Sequence, residues 1–186
     1  MKHDYEKRDF PVGQVRRFLE PGPIVLVTSA HEGERDVMTL GWQTVIEFSP
    51  SLLAMLISSA NHSYQLIRGS GECVVNLPTA DMVDLVVGIG NTSGAETDKF
   101  EHFKLRTGEA DEVAAPLLTD CFANFECRLV EDRMVKDYDF FIFEVVRAYV
   151  ATKPKYPKTL HYTGDGVFMV SGEHIDKSAD FLPGML

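Results

Sequence analysis

A chain of 186 residues with 45% hydrophobic and 25% charged side chains has material for a substantial core in one domain, and its composition excludes disorder. Its formal net charge of −10, from 18 basic and 28 acidic side chains, repels a phosphate backbone at long range, which argues against nucleic acid as a partner. No apolar run is long enough to span a bilayer, no signal peptide follows the charged first residues, and the three cysteines lack metal-type CxxC spacing, so the expectation is a reduced cytoplasmic protein.

In chain order, residues 12–20 carry a helical stripe (Val12, Val15, Phe18, Leu19) that Pro21-Gly22-Pro23 stops, leaving residues 1–20 as an N-terminal arm. The β-branched stretch 24–29 predicts a strand, 36–48 resumes extended character, and 52–58 predicts a third strand. A short helix is expected over 62–68 with Gly69 near its end, then a strand over 72–77 closed by Pro78. An amphipathic helix follows over 79–87, with Thr79 as its cap and Met82, Leu85 and Val86 facing inward. Residues 88–112, rich in glycine, serine and charge, read as a surface excursion. The alternation of Ala123, Phe125, Cys127 and Leu129 with Asn124, Glu126 and Arg128 predicts a half-buried strand. A turn over 136–139 leads to a long strand over 140–150, and 167–170 predicts a last short one. Many short strands with few helices favour a mainly β, antiparallel barrel over a doubly wound sheet, although strand count leaves a sandwich open. Cys73 and Cys127 lie in apolar stretches and read as buried structural thiols.

Three segments could carry chemistry. The loop Ser58-Ser59-Ala60-Asn61-His62-Ser63 precedes a predicted helix, whose exposed amides and dipole attract phosphate, although such loops more commonly serve as plain caps. In Met38-Thr39-Leu40-Gly41-Trp42-Gln43-Thr44, hydroxyls and an amide accompany the sole tryptophan, which could cover a planar ring but in an apolar strand more commonly packs in a core. The segment Gly88-Ile89-Gly90-Asn91-Thr92-Ser93-Gly94 does not match GxGxxG and follows a helix instead of a strand, so a Rossmann site is rejected. Beyond it, Lys99 could stabilise an anionic reduced flavin or a phosphate; without other signs of a ligand it would be a solvated lysine. The six histidines have no paired ligand spacing, and neither a GxSxG elbow nor a GxxxxGK[ST] loop occurs. No catalytic side chain and no metal site are therefore assigned.

Taken in order, Val37–Thr44, Phe48-Ser49-Pro50, Ser58–Tyr64, Gly71–Pro78, Val87–Asn91, Asp98-Lys99-Phe100, Ala123–Cys127 and Leu160-His161-Tyr162 resemble the flavin reductase-like, FMN-binding split-barrel family, particularly its flavoredoxin branch. The likeness covers nearly all of residues 23–172. It implies an antiparallel split β-barrel, a homodimer, and FMN in a groove near the subunit interface. Carried over by position, Thr39, Leu40, Gly41, Trp42 and Gln43 would line the isoalloxazine and ribityl chain, and Ser58, Ser59, Asn61 and Ser63 would cradle the phosphate. Asn76 and Leu77 would face the cofactor, Lys99 would reach the flavin or its phosphate, and His161, Tyr162 and Phe168 are further carry-overs. Many members carry asparagine where this chain has Val37, which removes one hydrogen bond to the flavin.

The resemblance implies electron transfer through FMN, with NADH or NADPH as donor and free flavin or a redox protein as acceptor; the −10 charge favours a protein donor. Two alternatives belong to another class: a flavin-binding carrier with negligible turnover, or a barrel using its cleft for another ligand such as haem.

Overall fold

The computed structural model describes residues 2, 4–15 and 22–182. Eight strands form one antiparallel sheet in the order β3-β2-β6-β9-β10-β5-β4, with β1 added on β10. These strands are β1 (Lys7–Asp9), β2 (Val25–His31), β3 (Glu34–Leu40), β4 (Gln43–Glu47), β5 (Leu52–Leu56), β6 (Glu72–Leu77), β9 (Ala123–Glu131) and β10 (Phe140–Ala151). Two small hairpins lie apart from it: β7 (Thr107–Gly108) with β8 (Leu117–Leu118), and β11 (Leu160–Gly164) with β12 (Val167–Val170). The helices are α1 (His62–Ser70), α2 (Val83–Gly90), α3 (Lys99–His102) and α4 (Val135–Tyr138).

The sheet curls around one shared core. Val25 and Val27 of β2, Met55 of β5, Val75 of β6 and Phe125 of β9 meet Phe141 and Phe143 of β10 inside it, all almost fully buried. Because side chains alternate across a strand, Leu26 and Val37 point the other way, where they pack under Val86 and Ile89 of α2 and Phe100 of α3. The molecule is thus a split antiparallel β-barrel with helices on its outer face. Its two free edges, β3 and β4, meet at the turn Gly41-Trp42, and the Trp42 carbonyl accepts from the Leu56 amide at 3.0 Å. No helix among the described residues is long and apolar enough to cross a membrane.

Several expectations shift in physically readable ways. The stretch 36–48 divides into two strands at Gly41-Trp42, since the chain passes there from one edge to the other. Helix α1 runs on to Ser70 and ends at Gly71, whose φ of 70° is the left-handed conformation that suits a C-cap. Gly69 serves another purpose: a Cβ there would lie 2.4 Å from the His31 ring, so the helix crosses β2 at that point. Thr79 precedes a 3-10 turn over Ala80–Met82 instead of α2 itself, and its hydroxyl caps no amide but donates to Asp81. Of the stripe over 12–20, Val12–Gln14 forms a 3-10 turn and the remainder lies outside the described residues. Strands β1 and β11 escaped the sequence reading, β1 because it is three charged residues long.

Strand β9 is half-buried only from Arg128 on; before it, Asn124 and Glu126 are buried along with Phe125 and Cys127. Asn124 joins a network, donating to Asn76 Oδ1 at 2.7 Å and accepting from Lys7 Nζ at 2.6 Å, while Glu126 accepts backbone amides from 111–113. All three cysteines are buried and unbridged, and burial pushes the Cys121 thiol up to about 12.

Lys7 is the half-buried cation of β1. Burial, reinforced by Arg106 and opposed by Cys121 and Asp120, lowers its pKa from 10.5 to about 8. Between those values the unfolded chain binds more protons than the folded one, so stability attributable to this group rises with pH. Wild type should therefore gain thermal stability relative to Lys7→Met as pH is raised from about 8 to 10.5. Parallel melting curves that keep a constant offset across this window would contradict the assignment.

Candidate functional site

A cleft of about 610 Å³ opens beside the Gly41-Trp42 turn, a size within the roughly 300–1,000 Å³ of small-molecule sites. One wall is the end of β3 and the turn, Met38 to Trp42; the far end carries Leu56, Ser58 and Asn61. Opposite β3 stand Val86, Val87, Gly90 and Asn91 from α2 and its exit, and the β11–β12 hairpin contributes Tyr162, Gly166 and Phe168. None of the described side chains lining the cleft carries a formal charge.

Each wall is fixed from behind. The Thr39 hydroxyl donates to the Val86 carbonyl at 2.7 Å, tying β3 to α2. A Cβ built on Gly90 would sit 3.5 Å from Thr39 Cβ, so glycine keeps this passage open. Tyr162 and Phe168 lie 5.2 Å apart with planes tilted by 56°, and the Tyr162 hydroxyl accepts from the Gly166 amide at 3.0 Å, closing the hairpin on itself. Trp42 is 72% exposed. It is no core residue; it stands at the cleft as an open aromatic surface. Beside it, Gln43 donates to the Pro23 carbonyl at 3.2 Å, and its Oε1 is buried without a hydrogen-bond partner, an acceptor in want of a donor.

Of the residues singled out from sequence, Thr39, Leu40, Gly41, Trp42, Ser58, Asn61 and Phe168 line the cleft, as does Tyr162. Gln43 flanks them. Six others are placed elsewhere. Ser59 lies outside the cleft, and His161 is buried with its Nε2 2.9 Å from Thr159 Oγ1. Asn76 is fully buried, donating to the Leu26 and Val74 carbonyls and accepting from the Leu118 amide and Asn124, so its amide has no capacity left for a ligand. Leu77 points into the barrel core. Ser63 is buried, and its hydroxyl donates to Asp36 at 2.7 Å. Lys99 is neither solvated nor in the cleft: it is 5% exposed, with Nζ 2.6 Å from the Val37 carbonyl and 3.2 Å from Asp36.

The loop 58–61 also differs from the expected amide cradle. The Ser59 amide donates to Asp139 at 3.2 Å, the Ala60 amide to Ser58 Oγ and the Asn61 amide to the Ser58 carbonyl. Ser59 is exposed and outside the cleft, whereas Ser58 and Asn61 line it. The sequence reading missed Leu56, Val86, Val87, Gly90 and Asn91 as site residues. In the sequence Gly90 and Asn91 belong to a glycine-rich segment, and Val86 reads only as core. Among the described residues, no group of three His, Cys, Asp or Glu side chains could hold a metal ion.

Residues 16–170 match the family described as flavin reductase like domain. The chain belongs to that family. Among relatives of the flavin reductase-like chain, an uncharacterised protein of Archaeoglobus fulgidus is 34% identical over 129 residues, covering 69% of this chain and 72% of its own. The uncharacterised protein YddH of Escherichia coli is 28% identical, covering 86% and 92%. Among solved structures, the FMN-binding domain of a flavin reductases-like enzyme from Shewanella baltica superposes with a TM-score of 0.87 at 26% identity, over 94% of this chain and 98% of the other. Flavoredoxin from Methanosarcina acetivorans shares the fold with a TM-score of 0.73 at 23% identity, over 84% and 88%.

Proposed function

We propose that this chain binds FMN in the cleft and passes electrons through it. The observation that carries the reading is the cleft itself: an uncharged slot between the β3 edge and the Tyr162–Phe168 hairpin, lined by Trp42 and, where α2 faces Thr39, by Gly90. Such a slot suits a flat, polarisable ring. The Shewanella baltica relative, described as FMN-binding, supports the same ligand. Bound FMN would supply reversible electron transfer at its ring, while the protein orients it and controls access. Met38, Leu40, Leu56 and Val86 would offer apolar surface and exclude water; Trp42, Tyr162 and Phe168 would flank the ring. Ser58 and Asn61 would meet the polar tail with side chains, and the buried Gln43 Oε1 would gain the donor it lacks. No side chain of this cleft acts as a proton donor in this reading.

NADH or NADPH is the proposed donor, with free flavin or a redox protein as acceptor. The −10 charge favours a second reading, a carrier reduced by another protein, because it opposes long-range capture of an anionic nicotinamide. Pairing with a second copy is proposed as well, since Ile46, Phe48, Val167 and Met169 leave apolar side chains exposed. Under anaerobic conditions, bleaching of the FMN-loaded protein by either nicotinamide supports the reductase. Bleaching by dithionite but by neither nicotinamide would discard it in favour of the carrier.

A further inference from the structure

Behind the cleft lies a buried polar knot that the proposed chemistry does not use. Lys99 and Asp36 form an ion pair at 3.2 Å with side chains 5% and 2% exposed. Asp36 also accepts from Ser63 Oγ at 2.7 Å, and Lys99 Nζ donates to the Val37 carbonyl at 2.6 Å. The chain packs so closely that a Cβ on Gly94 would lie 2.4 Å from Asp36 Oδ1. Stability alone gives no reason for such a pair, because two apolar side chains of similar volume serve a core as well or better.

Its reach suggests the reason. Asp36 belongs to β3 and Ser63 to α1, which adjoin the cleft residues Met38–Leu40 and, before the helix start, Ser58 and Asn61; Lys99 opens α3, which residues 92–98 join to Gly90 and Asn91 at the end of α2. The segment that carries Lys99 is pinned to β3 a second time, by the Arg35 guanidinium 4.3 Å over the Phe100 ring. The backbone adds a sharper point. In the ladder of an edge strand, the amide and carbonyl of one residue face the neighbouring strand and those of the next face outward. Strand β3 pairs only with β2, and its Val37 carbonyl faces outward to Lys99. By the same alternation the Thr39 amide and carbonyl also face outward, and Thr39 lines the cleft.

We infer that Lys99, with Asp36 and Ser63, is a positioning residue: it plugs the open edge of β3 at Val37 and so sets the next outward-facing backbone pair, at Thr39, as a hydrogen-bonding edge for the bound ring. The inference rests on the reading of the cleft as a flavin site. A methionine at position 99 would fill the same space but could not donate to the Val37 carbonyl.

The test is an FMN titration and a midpoint-potential measurement on wild type and on the double variant Asp36→Asn with Lys99→Met. The double variant removes both charges together, because Lys99→Met alone would strand a buried carboxylate and could fail to fold. The expected result is a folded double variant whose FMN dissociation constant rises roughly tenfold, together with a shifted flavin potential. A double variant with wild-type affinity and potential, whatever its melting temperature, overturns the positioning role alone. A wild type that binds no FMN overturns the flavin reading itself, and this inference with it.

Discussion

Replacing Glu126 by alanine is expected to lower the melting temperature by roughly 6–12 °C, corresponding to about 3 kcal/mol. The carboxylate is fully buried on β9 and accepts the amides of Asp111, Glu112 and Val113 at 3.1, 2.6 and 3.2 Å. Hydrogen bonds to a charged acceptor are among the stronger ones, and truncation leaves the amides without their partner under the cluster of Val74, Val113 and Ala115. Glu126→Gln keeps one carbonyl acceptor and should lose a smaller amount. Neither change touches a residue lining the cleft, so FMN affinity should hold. Calorimetry and an FMN titration on the same samples check both halves; a fall in affinity as large as the fall in stability would contradict the separation.

Gly90→Leu should do the reverse. Gly90 ends α2 without a positive φ, and a Cβ there makes an ordinary 3.5 Å contact with Thr39, so the backbone accepts a side chain. The remaining carbons of leucine would extend into the passage between α2 and β3. FMN affinity should fall by about 100-fold, with the melting temperature unchanged or slightly raised because glycine is a poor helix former. A leucine variant that binds FMN like wild type would place the ligand elsewhere.

Much of the barrel was legible because its strands are local statements. The alternating and β-branched runs that became β2, β5, β6 and β10 announce themselves within a few residues, and the core around Phe125, Phe141 and Phe143 follows from them. The cleft wall over 38–42 was legible as a motif whose polar groups have no evident use in a core. What stayed hidden was partnership. Lys99, Ser63 and Asn76 carry the functional groups a ligand site requires, and nothing in the linear order says that Asp36, Leu26 or Asn124 will claim those groups first. Glu126 looked solvated because its alternation with Phe125 and Cys127 is the ordinary sign of an outward face; the loop that covers it returns from fifteen residues away. Gly90 carried a signal, a glycine-rich stretch, but glycine names a place where space is needed without naming what needs it.

The most direct measurement uses the chain's single tryptophan. Trp42 is 72% exposed and lines the cleft, so its emission reports on this site and no other. Titrating FMN into the purified protein should quench Trp42 emission and flavin fluorescence together, with an endpoint near about one FMN per chain. Tryptophan emission that stays unchanged through the titration, beyond the absorbance of added flavin, would contradict the placement of FMN in this cleft.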